Sequence, residues 1–579
     1  MRAHPRLLPV ALAALLLSGC ATDSARVESV AGLAPRPAYH GTLEPMAADA
    51  VYFVVTDRFV NGDPGNDHRD QGGAHRTFDI PLRDCPDGAN IGYLGGDFRG
   101  VLDNAEYIRA MGFGAVWITP IVDNPDEAFT GGDAIGCTTF LTDRGKSGYH
   151  GYWATNFHRV DEHLESPGLA FADFTRGMHD AGLKVVLDIV GNHTSPGFGM
   201  PVKQPGFGQL FDADGTLIAD HGNRPPEQLS PATEPLHRFY NTKRDLAQLA
   251  DLRDDEPAVM DHLVDAYLQW IAQGADAFRI DTIRHQPLSF WKTFSDRIRA
   301  GHPGFFMFGE AFDYDAATIA PFTWPENGGV SLLDFPLKKA LSEAVGPAGH
   351  GFETLVPALA LEHGPYQNPY DLMTFYDNHD MARLDATDDG FVDAHHVLFT
   401  MRGTPVIYYG SETGFMRGRV EHSGNRAYFG QERVDAAPAS RIHRELARIA
   451  RVRAASPALQ RGLQLNLEMQ GDRAAFYRVY ADGAQAQIAL VLLNKGDGPA
   501  RFAIRDYLQA GTWRAALAGG TREVTSGGTL DVEVPPHGAE VFLLDADVLD
   551  PAFQARLEAL SAASRRTTSA PPASAAGSR

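Results

Sequence analysis

Eight short apolar runs recur along the chain up to residue 412, and polar residues follow each of them. Each run is continuously apolar rather than alternating, which predicts strands buried on both faces and therefore a parallel sheet. Stretches with apolar residues at helical spacing, such as 257–274, stand between many of the runs. This alternation predicts an α/β fold, a (β/α)8 TIM barrel, with a doubly wound open sheet as the alternative. The runs cover residues 50–59, 111–120, 181–193, 274–281, 304–310, 329–335, 371–380 and 403–412.

The pattern also divides the chain into domains. The barrel is predicted over 47–445, and the polar, Gly- and Pro-rich stretch of about 194–256 is predicted to be an inserted subdomain after the third strand. Short runs bounded by Gly, Asp and Pro predict an antiparallel β-domain over 446–546. The stretch 21–46 is predicted to be a tether, and 547–579 is predicted to be a disordered tail.

The first twenty residues, "MRAHPRLLPVALAALLLSGC", combine basic residues, a short apolar stretch and small residues, which predicts an export signal. Their end, "LLSGC", resembles the lipobox of bacterial lipoproteins and implies lipidation of Cys20; a plain cleaved signal is the alternative. No Asp follows Cys20 directly, which resembles outer-membrane sorting in a Gram-negative bacterium. Cys85 and Cys137 would then lie in an oxidising compartment and predict one disulfide, with two free thiols as the alternative.

Composition narrows the range of partners. The 51 Lys and Arg residues against 73 Asp and Glu residues give a net charge of −22, which repels nucleic acid and anionic lipid head groups. We therefore expect no nucleic-acid partner, and a membrane contact through the lipid anchor only. We expect a monomer that binds a neutral or cationic ligand.

Polar side chains are concentrated where four of the predicted strands end. Because the C-terminal ends of barrel strands meet at one mouth, we expect these side chains to lie together. Arg279 and Asp281, two residues apart, share one face of their strand. Carboxylate pairs beside an Arg suit glycoside hydrolysis, in which one carboxylate attacks the anomeric carbon and a protonated one donates to the leaving oxygen. The set comprises Asp188, Asn192, His193, Arg279, Asp281, His285, Glu310, His379 and Asp380.

Seven ordered motifs resemble those of the α-amylase family of glycoside hydrolases, over roughly 48–445. "DIVGNH", "FRIDTIRH", "FGEA" and "FYDNHD" resemble its four signature regions, and "GFGAVWITP", "LADL" and "GTPVIYYGSE" resemble its secondary regions. The resemblance implies a C-terminal β-sandwich, an α-glucoside substrate and a product that retains the α-anomer. Asp281 is thereby expected to be the nucleophile, Glu310 the general acid/base and Asp380 a sugar-binding carboxylate. Arg279 would keep Asp281 ionised.

The resemblance also implies residues that contact the substrate. Tyr152, in "YHGYW" at 149–153, would stack on the sugar being cleaved, and His193 and His379 would donate hydrogen bonds to it. Asp188 would support the site from behind. The remaining substrate-binding residues expected from these motifs are His150, Arg284 and His285.

Two calcium sites are expected. The loop "DRFVNGDPGNDH" has closely spaced oxygen ligands that suit Ca²⁺, although an ordinary polar turn is the alternative on the residues alone. With "GGD" at 95–97, it resembles the first calcium site of cyclodextrin glucanotransferases and their nearest amylase relatives. That site would use Asn61, Asp63, Asn66, Asp67, the Gly95 carbonyl and Asp97. The second would use Asn192, Asp251 and the His285 carbonyl.

Within the family, "YHGYW", "GVSLLDF" and "LADL" resemble the cyclodextrin glucanotransferases, but two features differ. Ala247 stands where the transferases carry an aromatic residue that guides cyclisation, and a single β-domain follows the barrel. Position 284 is Arg where many amylases have Lys. We therefore expect an α-amylase that hydrolyses α-1,4 bonds of starch, glycogen or maltooligosaccharides. The alternatives are a glucanotransferase, a cyclomaltodextrinase and, from another class, a non-catalytic glycan-binding lipoprotein.

Overall fold

The structure is a computed structural model that describes residues 38–67, 91–139 and 142–566. Fourteen strands precede the C-terminal domain in this part of the chain. In chain order they are β1 (Val51–Val54), β2 (Ala115–Ile118), β3 (Val122–Asp123), β4 (Asn156–Val160), β5 (Lys184–Ile189), β6 (His193–Pro196), β7 (Gln209–Phe211), β8 (Leu217–Asp220), β9 (Leu249–Asp251), β10 (Ala277–Ile280), β11 (Phe306–Gly309), β12 (Ser331–Leu332), β13 (Met373–Thr374) and β14 (Thr404–Tyr408).

Eight of these strands form one parallel sheet in the order β12-β11-β10-β5-β2-β1-β14-β13. A parallel bridge between Leu333 and Met373 joins the two ends of this sheet, so the strands close into a barrel. Each of the eight predicted apolar runs contains one barrel strand, which confirms the (β/α)8 prediction and rules out the open sheet. The strands are mainly apolar because both of their faces are covered, and the charged Asp188 and Arg279 lie near the C-terminal ends of β5 and β10. In the interior, Phe53 stacks on Trp117 with ring centroids 3.8 Å apart.

Helices surround the barrel, and α5 (Pro257–Ala272) shows how the sequence begins a helix. Pro257 fills the first helical turn, where no backbone donor is needed, and the Glu256 side chain accepts a hydrogen bond from the Ala258 amide. No helix in the described ranges is long and apolar enough to cross a membrane. The helices are α1 (Thr56–Phe59), α2 (Phe98–Asp103), α3 (Ala105–Met111), α4 (Phe171–Asp180), α5 (Pro257–Ala272), α6 (Leu288–Gly301), α7 (Ala316–Ile319), α8 (Phe335–Val345), α9 (Leu355–Leu359), α10 (Asp388–Thr400), α11 (Gln431–Ala436), α12 (Arg441–Ala454), α13 (Pro457–Arg461) and α14 (Pro551–Ala563).

The inserted subdomain follows β5, the third barrel strand, as predicted. It contains two antiparallel pairs, β6 with β9 and β7 with β8. His193 at the start of β6 lies opposite Asp251 at the end of β9. This pairing brings the end of the insertion back to the mouth of the barrel.

The C-terminal domain is an antiparallel β-sandwich. Its strands are β15 (Leu463–Gln470), β16 (Arg473–Ala481), β17 (Ala486–Asn494), β18 (Ala500–Ile504), β19 (Gly511–Ala515), β20 (Thr521–Val524), β21 (Leu530–Val534) and β22 (Gly538–Leu544). The main sheet has the order β15-β16-β17-β22-β19-β20, and β18 pairs with β21. Helix α12 crosses the boundary expected at 445/446, because its buried face packs on α10 of the barrel, and the first sandwich strand begins only at Leu463.

Two predictions about the chain ends are wrong in part. Of the predicted tether 21–46, Tyr39 is buried, and its backbone pairs with Ala481 of β16. Of the predicted disordered tail 547–579, residues 551–563 form α14. Its buried residues Phe553, Leu557 and Leu560 recur at helical spacing and pack on the sandwich. A composition average over the whole tail conceals this short apolar stripe.

Candidate active site

Arg279, Asp281 and Glu310 meet at the C-terminal ends of two neighbouring strands. Arg279 lies in β10, Asp281 follows that strand directly, and Glu310 follows β11. The fully buried Arg279 guanidinium donates from Nη1 to Asp281 Oδ1 at 2.9 Å and from Nη2 to Glu310 Oε2 at 2.6 Å. One planar cation therefore fixes two carboxyl groups beside each other, and the fork geometry of Arg suits this task.

Asp188, at the third strand, lies beneath this group. Its carboxylate accepts hydrogen bonds from Arg279 Nη1 at 2.8 Å, from the Tyr152 hydroxyl at 2.8 Å and from the Trp117 indole at 3.1 Å. Asp188 is fully buried and does not line the cleft described below. It therefore orients Arg279 and Tyr152 rather than contacting a ligand.

Burial gives the carboxyl groups of Glu310 and Asp188 unusual acidities. Removal from water raises the pKa of Glu310 to about 8, although Arg279 opposes the shift, and Asp380 and Asp281 add to it. Removal from water likewise raises the pKa of Asp188 to about 7. Burial therefore shifts Glu310 toward the protonated form, which is the state that a general acid needs.

Asp380 follows the seventh strand and has partners of its own. Arg426 donates to Asp380 Oδ1 at 2.6 Å and to the His379 carbonyl at 2.9 Å. The His379 ring stacks on Tyr152 with centroids 5.3 Å apart. Burial raises the pKa of Asp380, although Arg426 and Arg279 oppose the shift.

These groups line a cleft of about 760 Å³ at the mouth of the barrel. The structure thus brings together the three predicted catalytic carboxyl groups and six of the predicted substrate-binding side chains. The walls of the cleft also include four charged side chains that sequence analysis missed. The predicted substrate-binding residues in the lining are His150, Tyr152, His193, Arg284, His285 and His379; the missed residues are Asp143, Lys146, Glu421 and Arg426.

The residues expected to form the first calcium site come together. Asn61 Oδ1 and Asn66 Oδ1 are buried and have no hydrogen-bond partner among the described residues. A Cβ atom at Gly95, whose φ is +92°, would lie 2.3 Å from Asp67 Oδ1, so only Gly allows this close approach. Unpaired amide oxygens beside a carboxylate are a donor set that could hold an oxygen-preferring cation.

Asp97 and Asp63 have mainly backbone partners in the same loop. Asp97 accepts hydrogen bonds from the amides of Gly62, Asp63 and Gly100, the last of these capping α2. Asp63 Oδ1 accepts from the Gly65 amide at 2.9 Å. Both residues shape the loop that presents the amide oxygens.

The second expected set also assembles, with one residue that was not foreseen. Asp245 Oδ2 lies 3.2 Å from Asn192 Nδ2 and 2.8 Å from His285 Nδ1. The Asp251 carboxylate accepts a hydrogen bond from the Asp245 amide through Oδ2, while its Oδ1 is buried with no partner within the described ranges. Burial and the neighbouring Asp245 raise the pKa of Asp251 to about 8. A cation here would restore the charge of that carboxylate.

The cysteine predictions are tested only at one residue. Cys137 is disulfide-bonded. Cys20 and Cys85 lie outside the described residues.

With this geometry in hand, comparison with known proteins shows the family. The family model for the α-amylase catalytic domain matches residues 53–438. A cyclomaltodextrin glucanotransferase of Klebsiella oxytoca is 30% identical over 499 residues, covering 78% of this chain and 70% of that protein. An α-amylase of Streptomyces lividans is 27% identical over 543 residues, covering 80% of this chain and 58% of that protein. The chain therefore belongs to the α-amylase family.

Solved structures agree with this assignment. CldA, described as the first cyclomaltodextrin glucanotransferase with a three-domain ABC distribution, superposes with a TM-score of 0.70 at 29% identity, covering 86% of this chain and 99% of that one. The α-amylase of Geobacillus thermoleovorans, solved with acarbose, gives a TM-score of 0.65 at 25% identity, covering 86% of this chain and 99% of that one. The relatives thus include both hydrolases and transferases acting on glycosidic bonds.

Proposed function

We propose that this enzyme is a retaining α-amylase that cleaves α-1,4 bonds of starch, glycogen or maltooligosaccharides. The observation that carries the proposal is the single guanidinium of Arg279 bonded to both Asp281 and Glu310. Retaining glycosidases need a nucleophilic carboxylate and a protonated carboxyl group close together. Here Asp281 has a cation beside it, and Glu310 has the raised pKa of a proton donor.

The reaction follows from these two states. Asp281 attacks the anomeric carbon while Glu310 gives its proton to the glycosidic oxygen, so that the leaving sugar departs as an alcohol. Glu310, now ionised, takes a proton from water, and that water breaks the glycosyl ester and releases Asp281. Burial favours the protonated form of Glu310 that the first step needs, although Arg279 opposes this shift. Tyr152 and His379, stacked together, form the surface on which the sugar ring lies.

Transfer to a second sugar is the other candidate function. It is favoured by the likeness to CldA, a transferase with a three-domain layout, so the single β-domain here is no argument for hydrolysis. Hydrolysis is favoured by Ala247, which lines the cleft where the transferases carry an aromatic residue. Without that ring, the cleft has less apolar surface to hold an incoming sugar in place of water.

We further propose that both oxygen-rich loops bind Ca²⁺. Asn61, Asn66, Asp67 and the Gly95 carbonyl would hold one ion, and Asn192, Asp245, Asp251 and the His285 carbonyl the other. The unpaired buried oxygens support this proposal. The ions would tie the first loop and the insertion to the barrel, and the catalytic side chains act without direct contact to them.

Export, lipidation of Cys20, outer-membrane anchoring and a monomeric state also belong to the proposal. They rest on residues 1–22 and on the charge of the chain. Incorporation of labelled palmitate into the wild-type protein, and none into Cys20→Ala, would support the anchor. Labelling of both proteins, or of neither, would contradict it.

Product analysis tests the main proposal. Maltoheptaose should yield shorter linear sugars with newly formed reducing ends, initially as α-anomers. Asp281→Asn should abolish this release. The control Asp276→Asn should retain it, because Asp276 lies at the other end of the same strand, where its carboxylate is hydrogen-bonded to His179. Cyclic or longer products would favour transfer, and an inert wild-type protein that still binds amylose would favour the binding protein.

A further inference from the structure

The ring of strands separates two sides of the cleft. In the closed ring of eight strands, β1 lies four strands away from β11 in either direction. Because Glu310 follows β11, the loops after β2, β1 and β14 lie across the barrel mouth from Glu310. The acid must reach the glycosidic oxygen, which leaves with the departing sugar. The departing part of a glucan therefore lies on the β11 side. The part retained on Asp281 extends toward the loops after β2 and β14.

Lys146 lies on that retained side. It belongs to the segment between β3 and β4, which follows β2, and it lines the cleft with only 7% of its side chain exposed. Its ammonium donates to Asp143 Oδ1 at 2.9 Å and to Glu421 Oε1 at 3.0 Å. Glu421 follows β14, so this ion pair joins the two loops that form the wall opposite Glu310.

A chain of ion pairs connects Lys146 with the site of cleavage. Glu421 Oε1 is also 3.3 Å from Arg426 Nη1, and Arg426 Nη2 is 2.6 Å from Asp380 Oδ1. Two charged side chains, Arg426 and Glu421, therefore link Asp380 to Lys146, and Glu421 and Lys146 belong to the loops across the ring from Glu310. A sugar unit bound at Asp380 would have its next neighbours on the retained side in front of Lys146.

Within the described part of the chain, one N–H group of the Lys146 ammonium has no assigned partner. The ammonium carries three N–H groups, and the structure assigns two of them, to Asp143 and Glu421, among the described residues. We propose that Lys146 is a specificity-determining residue, which donates its third hydrogen bond to a hydroxyl of the second or third retained glucose unit. This inference rests on the proposed cleavage of α-glucans. It predicts that the enzyme selects substrates by the length of the retained chain.

The substitution Lys146→Met keeps an unbranched apolar side chain and removes the charge. The readout is release of 4-nitrophenol from 4-nitrophenyl α-glucoside, α-maltoside, α-maltotrioside and α-maltopentaoside. Wild-type kcat/KM should rise as the retained chain grows to two and three units. In Lys146→Met, kcat/KM should fall about tenfold on the longer glycosides, which is the loss expected for one charged hydrogen bond. On the shortest glycoside kcat/KM should change little. Lys146→Arg should recover part of the length preference.

Two controls separate this contact from a structural role. Lys184→Met removes a lysine that pairs with Asp49 outside the cleft and should leave the length preference unchanged. Lys146→Met leaves the buried Asp143 carboxylate without its cation, which is destabilising. The double variant Asp143→Asn/Lys146→Met removes this unpaired charge, and the same kinetics are measured on it if the single variant unfolds. An equal loss on every substrate, or no loss on any, would overturn the inference. Failure of the wild-type enzyme on both these glycosides and maltoheptaose would instead overturn the proposed function.

Discussion

Arg279 donates hydrogen bonds to Asp281 at 2.9 Å and to Glu310 at 2.6 Å, so that one cation serves both reacting carboxyl groups. The two groups need opposite protonation states, and this arrangement allows both. Asp281 has the cation at hydrogen-bond distance. For Glu310, burial and three neighbouring carboxylates outweigh the same cation and raise its pKa.

The first prediction concerns this shared cation. A Lys at position 279 has a single point charge and cannot bond both carboxyl groups in one plane. Arg279→Lys should lower kcat by about 10²–10³, with the stability loss of a broken buried ion pair, about 3–5 kcal/mol. Kinetics on maltoheptaose and urea denaturation measure both effects. Arg297→Lys, at a half-exposed pair with Asp261, is the matched control and should change neither. Near-normal kcat in Arg279→Lys would contradict the account.

The second prediction is a pH limit set by Glu310. Its pKa of about 8 means that the proton-donating form is present below pH 8 and is lost above it. The kcat/KM for maltoheptaose should therefore hold to about pH 7 and fall about tenfold per unit above pH 8. In Glu310→Gln the residual rate on a glycosyl fluoride, which needs no proton donor, should lose this alkaline fall. If the wild-type kcat/KM instead falls as the pH rises through about 4.5, Glu310 has the acidity of an ordinary Glu and the account is contradicted.

The third prediction concerns calcium. Removal of metal by a chelator should lower Tm, because an ion that binds only the folded state stabilises it by about 2.7 kcal/mol at a hundredfold excess over Kd. Metal analysis should find two Ca²⁺ per chain in the wild type and one in Asp251→Ala. The exposed Asp255→Asn, which loses only a surface pair with Arg253, should keep both. Equal Tm with and without chelator would contradict both sites.

The fourth prediction is acid sensitivity of the packing between α10 and α12. Burial lowers the pKa of His395 and His396 to about 3 and that of His443 to about 4. Because the unfolded chain binds protons at these residues below pH 6.5 and the folded chain does not, stability should fall as the pH falls from 6.5 toward 4.

His396→Gln tests this directly. It removes one proton-binding group, so its stability loss between pH 7 and pH 5 should be smaller than the wild-type loss by about 2 kcal/mol. Urea denaturation at both pH values measures the difference. His350→Gln, at an exposed position, should show the wild-type loss. The same loss in all three proteins would refute the prediction.

The local sequence pattern predicted the features that depend on residues close together in the chain. Asp281 and Glu310 were visible because each directly follows a buried strand, and barrel geometry brings such strand ends together. Lys146 and Glu421 are 275 positions apart and lie outside any strand, so their ion pair depends on loop conformations that no local pattern encodes. Asp245 was missed for the same reason. Helix α14 was missed because three apolar residues were averaged into a polar tail.

A trapped intermediate tests the central claim most directly. A 5-fluoro-α-glycosyl fluoride should react with the enzyme and form a slowly hydrolysed ester, which peptide mass spectrometry can locate. We predict one glycosyl group per chain, attached to Asp281, and none in Asp281→Asn. A label on Asp380 or Asp188, or turnover of this substrate without any ester, would contradict the assignment of Asp281 as the nucleophile.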